Sequence, residues 1–155
     1  MKLLVTDESV RLARWLRLLG HDAALMPARP LPELYRQAYH ESRVVVTRNR
    51  DVKAGRVLRV VQLASEQLDA QLSQVVRELK LPIGAEEVFS RCDRCNVAVE
   101  PAEKAAVKDQ VPPYVFQTQQ AFHRCPSCRR IYWAATHWDR ARRVVDRLRE
   151  EVRHG

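Results

Sequence analysis

Hydrophobic and polar positions divide the chain into short apolar runs separated by helical stripes. Leu3, Leu4 and Val5 form a run that reads as a buried strand. Asp7 and Glu8 follow it, and Ser9 is placed to cap a helix. Leu12, Trp15, Leu16 and Leu19 recur at helical spacing and make one apolar stripe, while Arg11, Arg14 and Arg17 recur on another side. Gly20 is positioned to end that helix in the left-handed conformation. His21 to Leu25 reads as a second, weaker strand, followed by the breakers Pro27, Pro30 and Pro32. A helix is expected over Leu31–Glu41, with Leu34 and Ala38 inward. The β-branched run Arg43–Thr47 is the clearest strand, and its continuity suits a strand buried on both faces of a parallel sheet. A strand over Arg56–Leu63 and a helix over Glu66–Leu79 complete the series. This alternation predicts an α/β fold with a mostly parallel sheet and flanking helices.

The pattern changes after Pro82-Ile-Gly84, so the chain divides into an α/β domain over 1–84 and a second unit over 85–155. The second unit holds all four cysteines, as Cys92-Asp-Arg-Cys95 and Cys125-Pro-Ser-Cys128, with 29 residues between the pairs. Two intervening residues let a tight turn aim both sulfurs at one ion, and two such turns close a tetrahedral four-thiolate shell. The expected metal is structural zinc, with Cys92, Cys95, Cys125 and Cys128 as ligands. Two disulfides or a redox dithiol are the rival readings of the same residues. His123 and His137 lie near the second pair and fit a surface or supporting role. Tyr132, Trp133 and Trp138 can stack on bases or pack the ribbon against its neighbours. Asp139–Val152 reads as a terminal helix, with Ala141, Val144, Val145 and Leu148 inward.

Composition narrows the partners. The 155 residues carry a formal net charge of +8, and 46% of them are apolar, which fits a folded protein with an anionic partner. Arginine outnumbers lysine, and its planar fork suits phosphate. No stretch approaches the roughly 18 apolar residues of a membrane helix, and no signal-peptide layout opens the chain, so a cytoplasmic protein is expected. If the strands after Leu3 and Arg43 are neighbours, Asp7, Glu8, Asn49 and Asp51 converge at one sheet edge. Carboxylates gathered in this way can hold Mg²⁺ or Mn²⁺, although strand-end acids also serve as plain caps.

Several segments together resemble a known family. They are Arg11-Leu-Ala-Arg-Trp-Leu-Arg-Leu-Leu-Gly-His-Asp22, Val44-Val-Val-Thr-Arg-Asn-Arg50, Ser90-Arg-Cys-Asp-Arg-Cys-Asn96, Val111-Pro-Pro-Tyr114, Arg124-Cys-Pro-Ser-Cys128, Tyr132-Trp133 and His137-Trp138. In this order they are similar to the Mut-seven C-terminal RNase domain family, a PIN-like nuclease fold with a C-terminal zinc ribbon. The resemblance implies a metal-dependent ribonuclease acting on RNA. By position it implies Asp7 as the acid after the first strand and Asp22 as the acid closing the Leu-Leu-Gly motif. Asn49 stands where that family often has Asp, and Asp51 can supply the carboxylate instead. Asp7 and Asp51 are then the expected ligands of the catalytic ion, with Glu8 or Asp22 as a third acid. Arg11, Arg14, Arg48 and Arg50 are the expected phosphate contacts. Two departures touch the same edge: the Asp7-to-Arg11 spacing is one residue short, and a glycine common before that arginine is absent. They leave open an alternative, a non-catalytic RNA-binding or adaptor protein with a degraded site. A protein-interaction module whose charge serves only solubility is a third reading.

Overall fold

The computed structural model describes residues 1–134 and 136–154. Strand β1 (Lys2–Thr6) leads through a 3₁₀ turn (Asp7–Ser9) into α1 (Val10–Leu18). Next come β2 (Asp22–Met26), α2 (Leu31–His40), β3 (Arg43–Thr47), β4 (Val60–Gln62) and α3 (Leu68–Leu79). The four strands form one parallel sheet in the order β2-β1-β3-β4. Strand alternation then sorts the apolar side chains onto two faces. Leu3, Val5 and Val46 face α1 and α3, whereas Leu4 and Val45 face Leu34 and Ala38 of α2. A continuous apolar run on β1 is therefore what a sheet covered on both faces requires.

Among the differences from the sequence expectation, three shape the α/β layer. Ser9 makes no capping bond; its hydroxyl is buried without a partner, because the 3₁₀ turn at Asp7–Ser9 already carries the chain into α1. The fourth strand is only Val60–Gln62, since the Gly55 amide bonds the Leu58 carbonyl and turns the preceding segment away from β3. The third helix begins at Leu68, two residues later than expected. Gly20 does adopt φ +92°, and a Cβ there would lie 2.7 Å from the Glu87 carbonyl oxygen. Glycine is thus demanded both by the turn and by the chain that crosses it.

That crossing chain leads to the ribbon. Strands β5 (Glu100–Ala102), β6 (Phe122–Arg124) and β7 (Ile131–Trp133) form an antiparallel sheet in the order β5-β6-β7. Between β5 and β6 lie a 3₁₀ turn (Lys104–Val107) and α4 (Pro113–Thr118). Val107, Val111, Val115, Phe122 and Ile131 build a small core of the ribbon's own. The final helix, α5 (Thr136–His154), sends Ala141, Val145 and Leu148 into the larger core beside α1 and α3. The sequence groups α5 with the ribbon, but its apolar stripe packs against the α/β layer. No helix among the described residues is long and apolar enough to cross a membrane.

Candidate functional site

The order β2-β1-β3-β4 has a topological consequence. The chain leaves β1 toward β2 on one side, and β3 then adds on the other side of β1. Such a reversal opens a crevice at the carboxyl ends of the two central strands, the usual ligand position of open α/β sheets. Lys2 to Val5 pair with Arg43 to Val46, so the residues after Thr6 and after Thr47 emerge side by side. Asp7 and Glu8 come from one strand end, and Arg48, Asn49, Arg50 and Asp51 from the other. This is the edge the sequence pattern anticipates.

A polar latch closes the crevice floor. The Thr6 and Thr47 hydroxyls are fully buried and 2.7 Å apart. Both lie within hydrogen-bonding reach of the same Glu8 oxygen, Oε1, which also accepts the Arg48 backbone N–H at 2.8 Å. Burial works against ionisation of Glu8, but the bonds from Thr6, the Arg48 amide and Thr47 outweigh it and hold the carboxyl below its ordinary range. Glu8 therefore ties β1 to β3. The only sequence signal for the paired threonines is that each ends its strand, at neighbouring positions of the β1–β3 register.

The remaining expected residues divide. Asp7 is exposed at the turn. The Asn49 side-chain oxygen accepts the Asp51 N–H at 2.9 Å and shapes the turn after β3. The Asp51 carboxylate pairs with Arg29, and the Arg48 guanidinium with Glu66, both on the surface. Asp22 is not brought to this edge. It pairs in register with Lys2, at the opposite end of the strands, where it accepts from Arg43 and Asn96 at 2.7 Å each. Parallel pairing forces this: an acid that opens β2 must lie beside the start of β1, not its end. Asp22 is instead a joint between the sheet and the ribbon.

The arginine stripe of α1 also divides. Arg11 is exposed, and among the described residues no carboxylate pairs with it. Arg14 donates from Nε and a terminal nitrogen to Asp93 Oδ2 at 3.0 and 2.7 Å. Arg17 is buried, with 7% of its surface exposed. It donates to the carbonyls of Ala23, Asp93 and Arg94 at 2.7, 2.9 and 3.1 Å. Two of these three side chains therefore grip the first cysteine turn, a role that the local sequence cannot reveal.

The cysteine turns are near copies of one another. In the first, the Cys95 amide approaches Cys92 Sγ at 3.4 Å, and the Asn96 amide bonds the Cys92 carbonyl at 3.0 Å. In the second, the Cys128 amide approaches Cys125 Sγ at 3.4 Å, and the Arg129 amide bonds the Cys125 carbonyl at 3.0 Å. Asn96 and Arg129 both take left-handed backbone, φ +59° and +68°. The four Sγ atoms lie within 4.8 Å of one another, with Cys92 and Cys128 3.7 Å apart. Thiolates about 2.3 Å from a tetrahedral ion would be separated by about 3.8 Å. The donor set therefore fits a four-coordinate metal, and no disulfide joins these cysteines. Burial opposes ionisation of Cys92, but the Tyr132 hydroxyl at 3.0 Å and the amides of Cys95 and Arg94 bring its pKa down to about 7. Tyr132 also bonds Asp93 at 2.8 Å, linking the thiolate to the Arg14 contact. His123 is exposed and stands outside the four-sulfur cluster; the His137 side chain lies outside the described residues. Trp138 stacks on Phe89 at 5.3 Å, and Trp133 packs against the ribbon core, so both serve packing. Among the described residues, the four cysteines are the only metal-ligand cluster of three or more groups. Asp7, Glu8 and Asp51 share an edge without gathering so closely.

The Mut7-C RNAse domain family model matches residues 1–145. The chain belongs to the Mut7-C RNAse domain family. Comparison with curated proteins and with solved structures finds no match. The Mut7-C match spans the parallel sheet, all four cysteines and the first half of α5, and it points to a nuclease-type role. In this Mut7-C chain, Arg14 and Arg17 join α1 to the first cysteine turn.

Proposed function

We propose that this protein is a metal-dependent ribonuclease that hydrolyses RNA phosphodiester bonds at the carboxyl ends of β1 and β3, with structural zinc on Cys92, Cys95, Cys125 and Cys128. The observation that carries this reading is the convergence of Asp7, Glu8 and the Arg48–Asp51 turn at the topological switch point of a Mut7-C RNAse domain. Asp7 and Asp51 would hold Mg²⁺ or Mn²⁺, which needs only one or two carboxylates when substrate phosphate and water complete its shell. When bound, the ion supplies the charge that acidifies a water and offsets the leaving oxygen. Asp51 must first leave Arg29. Both side chains are well exposed, so that pair is worth only about 0–1 kcal/mol. Glu8 keeps the floor of the edge rigid and negative. The Asn49 side-chain NH₂ remains available to donate to a phosphate oxygen. Arg11, Arg48 and Arg50 hold the RNA backbone, which gives salt-dependent affinity without base preference. Asp22 has no part in this site. Zinc–thiolate chemistry suits the reducing cytoplasm.

Cleavage of end-labelled RNA in Mn²⁺ by wild type, with Asp7→Asn losing at least about a hundredfold in rate, is the expected result. Equal cleavage by the two proteins would overturn the assignment. Asn49 favours a second reading, a non-catalytic RNA-binding protein: a neutral side chain occupies a position where the family often has an acid. That reading predicts RNA binding without cleavage in either ion, and no gain of activity in Asn49→Asp.

A further inference from the structure

A cavity of about 380 Å³ opens between α1, β7 and α5, along the α1 face that descends from the Asp7 edge. Its wall carries Arg11, Arg14, Trp15, Arg130 and Arg140. Positions 11, 14, 15 and 18 follow helical spacing, so one stripe of α1 lines the whole cleft. Four arginines face a single acid in this lining, Asp93. Asp93 is 4% exposed, and its two oxygens are taken by Arg14, Arg130 and Tyr132. It leaves no free negative charge to repel an anion. Arg14 and Arg130 have a structural reason to be there, because both pair with the Asp93 carboxylate. Arg11 and Arg140 do not: among the described residues neither pairs with a carboxylate. The Arg140 guanidinium instead rests over the Trp15 ring, 5.8 Å from its centroid. A planar cation on a half-buried indole at a cleft wall offers both a phosphate contact and a stacking surface.

We propose that this cleft binds single-stranded RNA, with phosphates on Arg11 and Arg140 and a base against Trp15, and that it delivers the strand to the Asp7 edge. The assignment rests on the RNA-acting reading of the β1–β3 edge and extends it. Arg11 stands four residues after Asp7, in the first turn of α1, so the cleft begins on the same element that carries the chain away from the edge. The sugar–phosphate backbone supplies the anions and the base supplies the flat apolar face, which a free polyanion lacks.

Binding is tested by fluorescence anisotropy of a short labelled oligouridylate at low salt, with no added Mg²⁺ or Mn²⁺, using the full chain with its metal in place. The charge-reversed double variant Arg11→Glu/Arg140→Glu should bind about tenfold or more weakly. It should also lower the slope of log affinity against log salt by roughly one to one and a half, about 0.7 per lost phosphate contact. Arg36→Glu makes the same kind of charge change on the exposed side of α2, across the sheet, and should stay within about twofold of wild type. Inorganic polyphosphate should compete poorly per charge against wild type, and that preference should narrow in Trp15→Leu, checked for folding by circular dichroism. Binding by the double variant within about twofold of wild type overturns the proposal, and so does an equal loss in Arg36→Glu. Polyphosphate competing as well as oligouridylate also overturns it, since the cleft would then be a general polyanion site. Intact, cleft-dependent binding without any metal-dependent cleavage supports the cleft and refutes only the nuclease assignment.

Discussion

Replacing Arg17 by methionine isolates what holds the ribbon to the α/β layer. Methionine keeps an unbranched apolar stem through the α1 surface and removes only the guanidinium. Three carbonyls lose their donor: Ala23, Asp93 and Arg94. The contacts to Ala23 and Asp93 are buried, while that to Arg94 is partly open to water. Each buried acceptor left unpaired costs roughly 1–3 kcal/mol, so the change should cost roughly 2–6 kcal/mol in all. That is a large share of a typical stability of about 5–15 kcal/mol. Urea denaturation followed by circular dichroism measures it as a fall in midpoint at unchanged slope. Release of metal from the four-cysteine site to a chromogenic chelator should also accelerate, because Asp93 and Arg94 are the two residues between Cys92 and Cys95. A loss below about 1 kcal/mol, with unchanged metal release, would refute the view that α1 clamps the first cysteine turn.

Glu8 and Asp93 both have carboxyls held below their ordinary range. For each, burial acts against ionisation and is outweighed by hydrogen bonds, from Thr6, the Arg48 amide and Thr47 for Glu8, and from Arg14 and Tyr132 for Asp93. Their stabilisation is complete above the unfolded carboxyl range, near pH ~4, and is lost as pH falls through the depressed folded values. Acid titration of urea stability should therefore be shallower in Glu8→Gln than in wild type. Gly20→Ala should cost about 1–3 kcal/mol, read as a lower melting temperature, because the new Cβ meets the Glu87 carbonyl in a left-handed turn. Cys125→Ser, or removal of the metal by a strong chelator, should collapse the amide spectrum of the ribbon and expose its tryptophans, since a core of five side chains cannot hold that unit alone.

Elements whose controlling interactions are local are legible in the sequence. The apolar run of β1, the β-branched run of β3 and the Cys-x-x-Cys pairs each declare themselves within a few residues. The site edge follows from them once β1 and β3 are taken as neighbours, and the register bears out that pairing. Where the partner lies far along the chain, the local pattern was silent. Arg14 reads as a phosphate contact and Arg17 as part of the same polar arginine stripe, yet they bond the Asp93 carboxylate and the carbonyls of Asp93 and Arg94, 76 to 79 positions away. The family resemblance implies Asp22 as a companion of Asp7, the acid that closes the Leu-Leu-Gly motif. The parallel register sets them at opposite ends of the sheet, since α1 returns the chain to the start of β2. The ribbon core was illegible for another reason: Val107, Val111 and Val115 sit among Pro112 and Pro113 and show no long period.

The proposed ribonuclease activity depends on a divalent ion held at the β1–β3 edge by Asp7 and Asp51. A crystal soaked in Mn²⁺ and measured at the manganese absorption edge tests it most directly. An anomalous peak between the two carboxylates, at about 2.0–2.2 Å from an oxygen of each, and absent from an Asp7→Asn crystal treated in the same way, is the predicted result. A map with no manganese at this edge in the presence of bound RNA would contradict it.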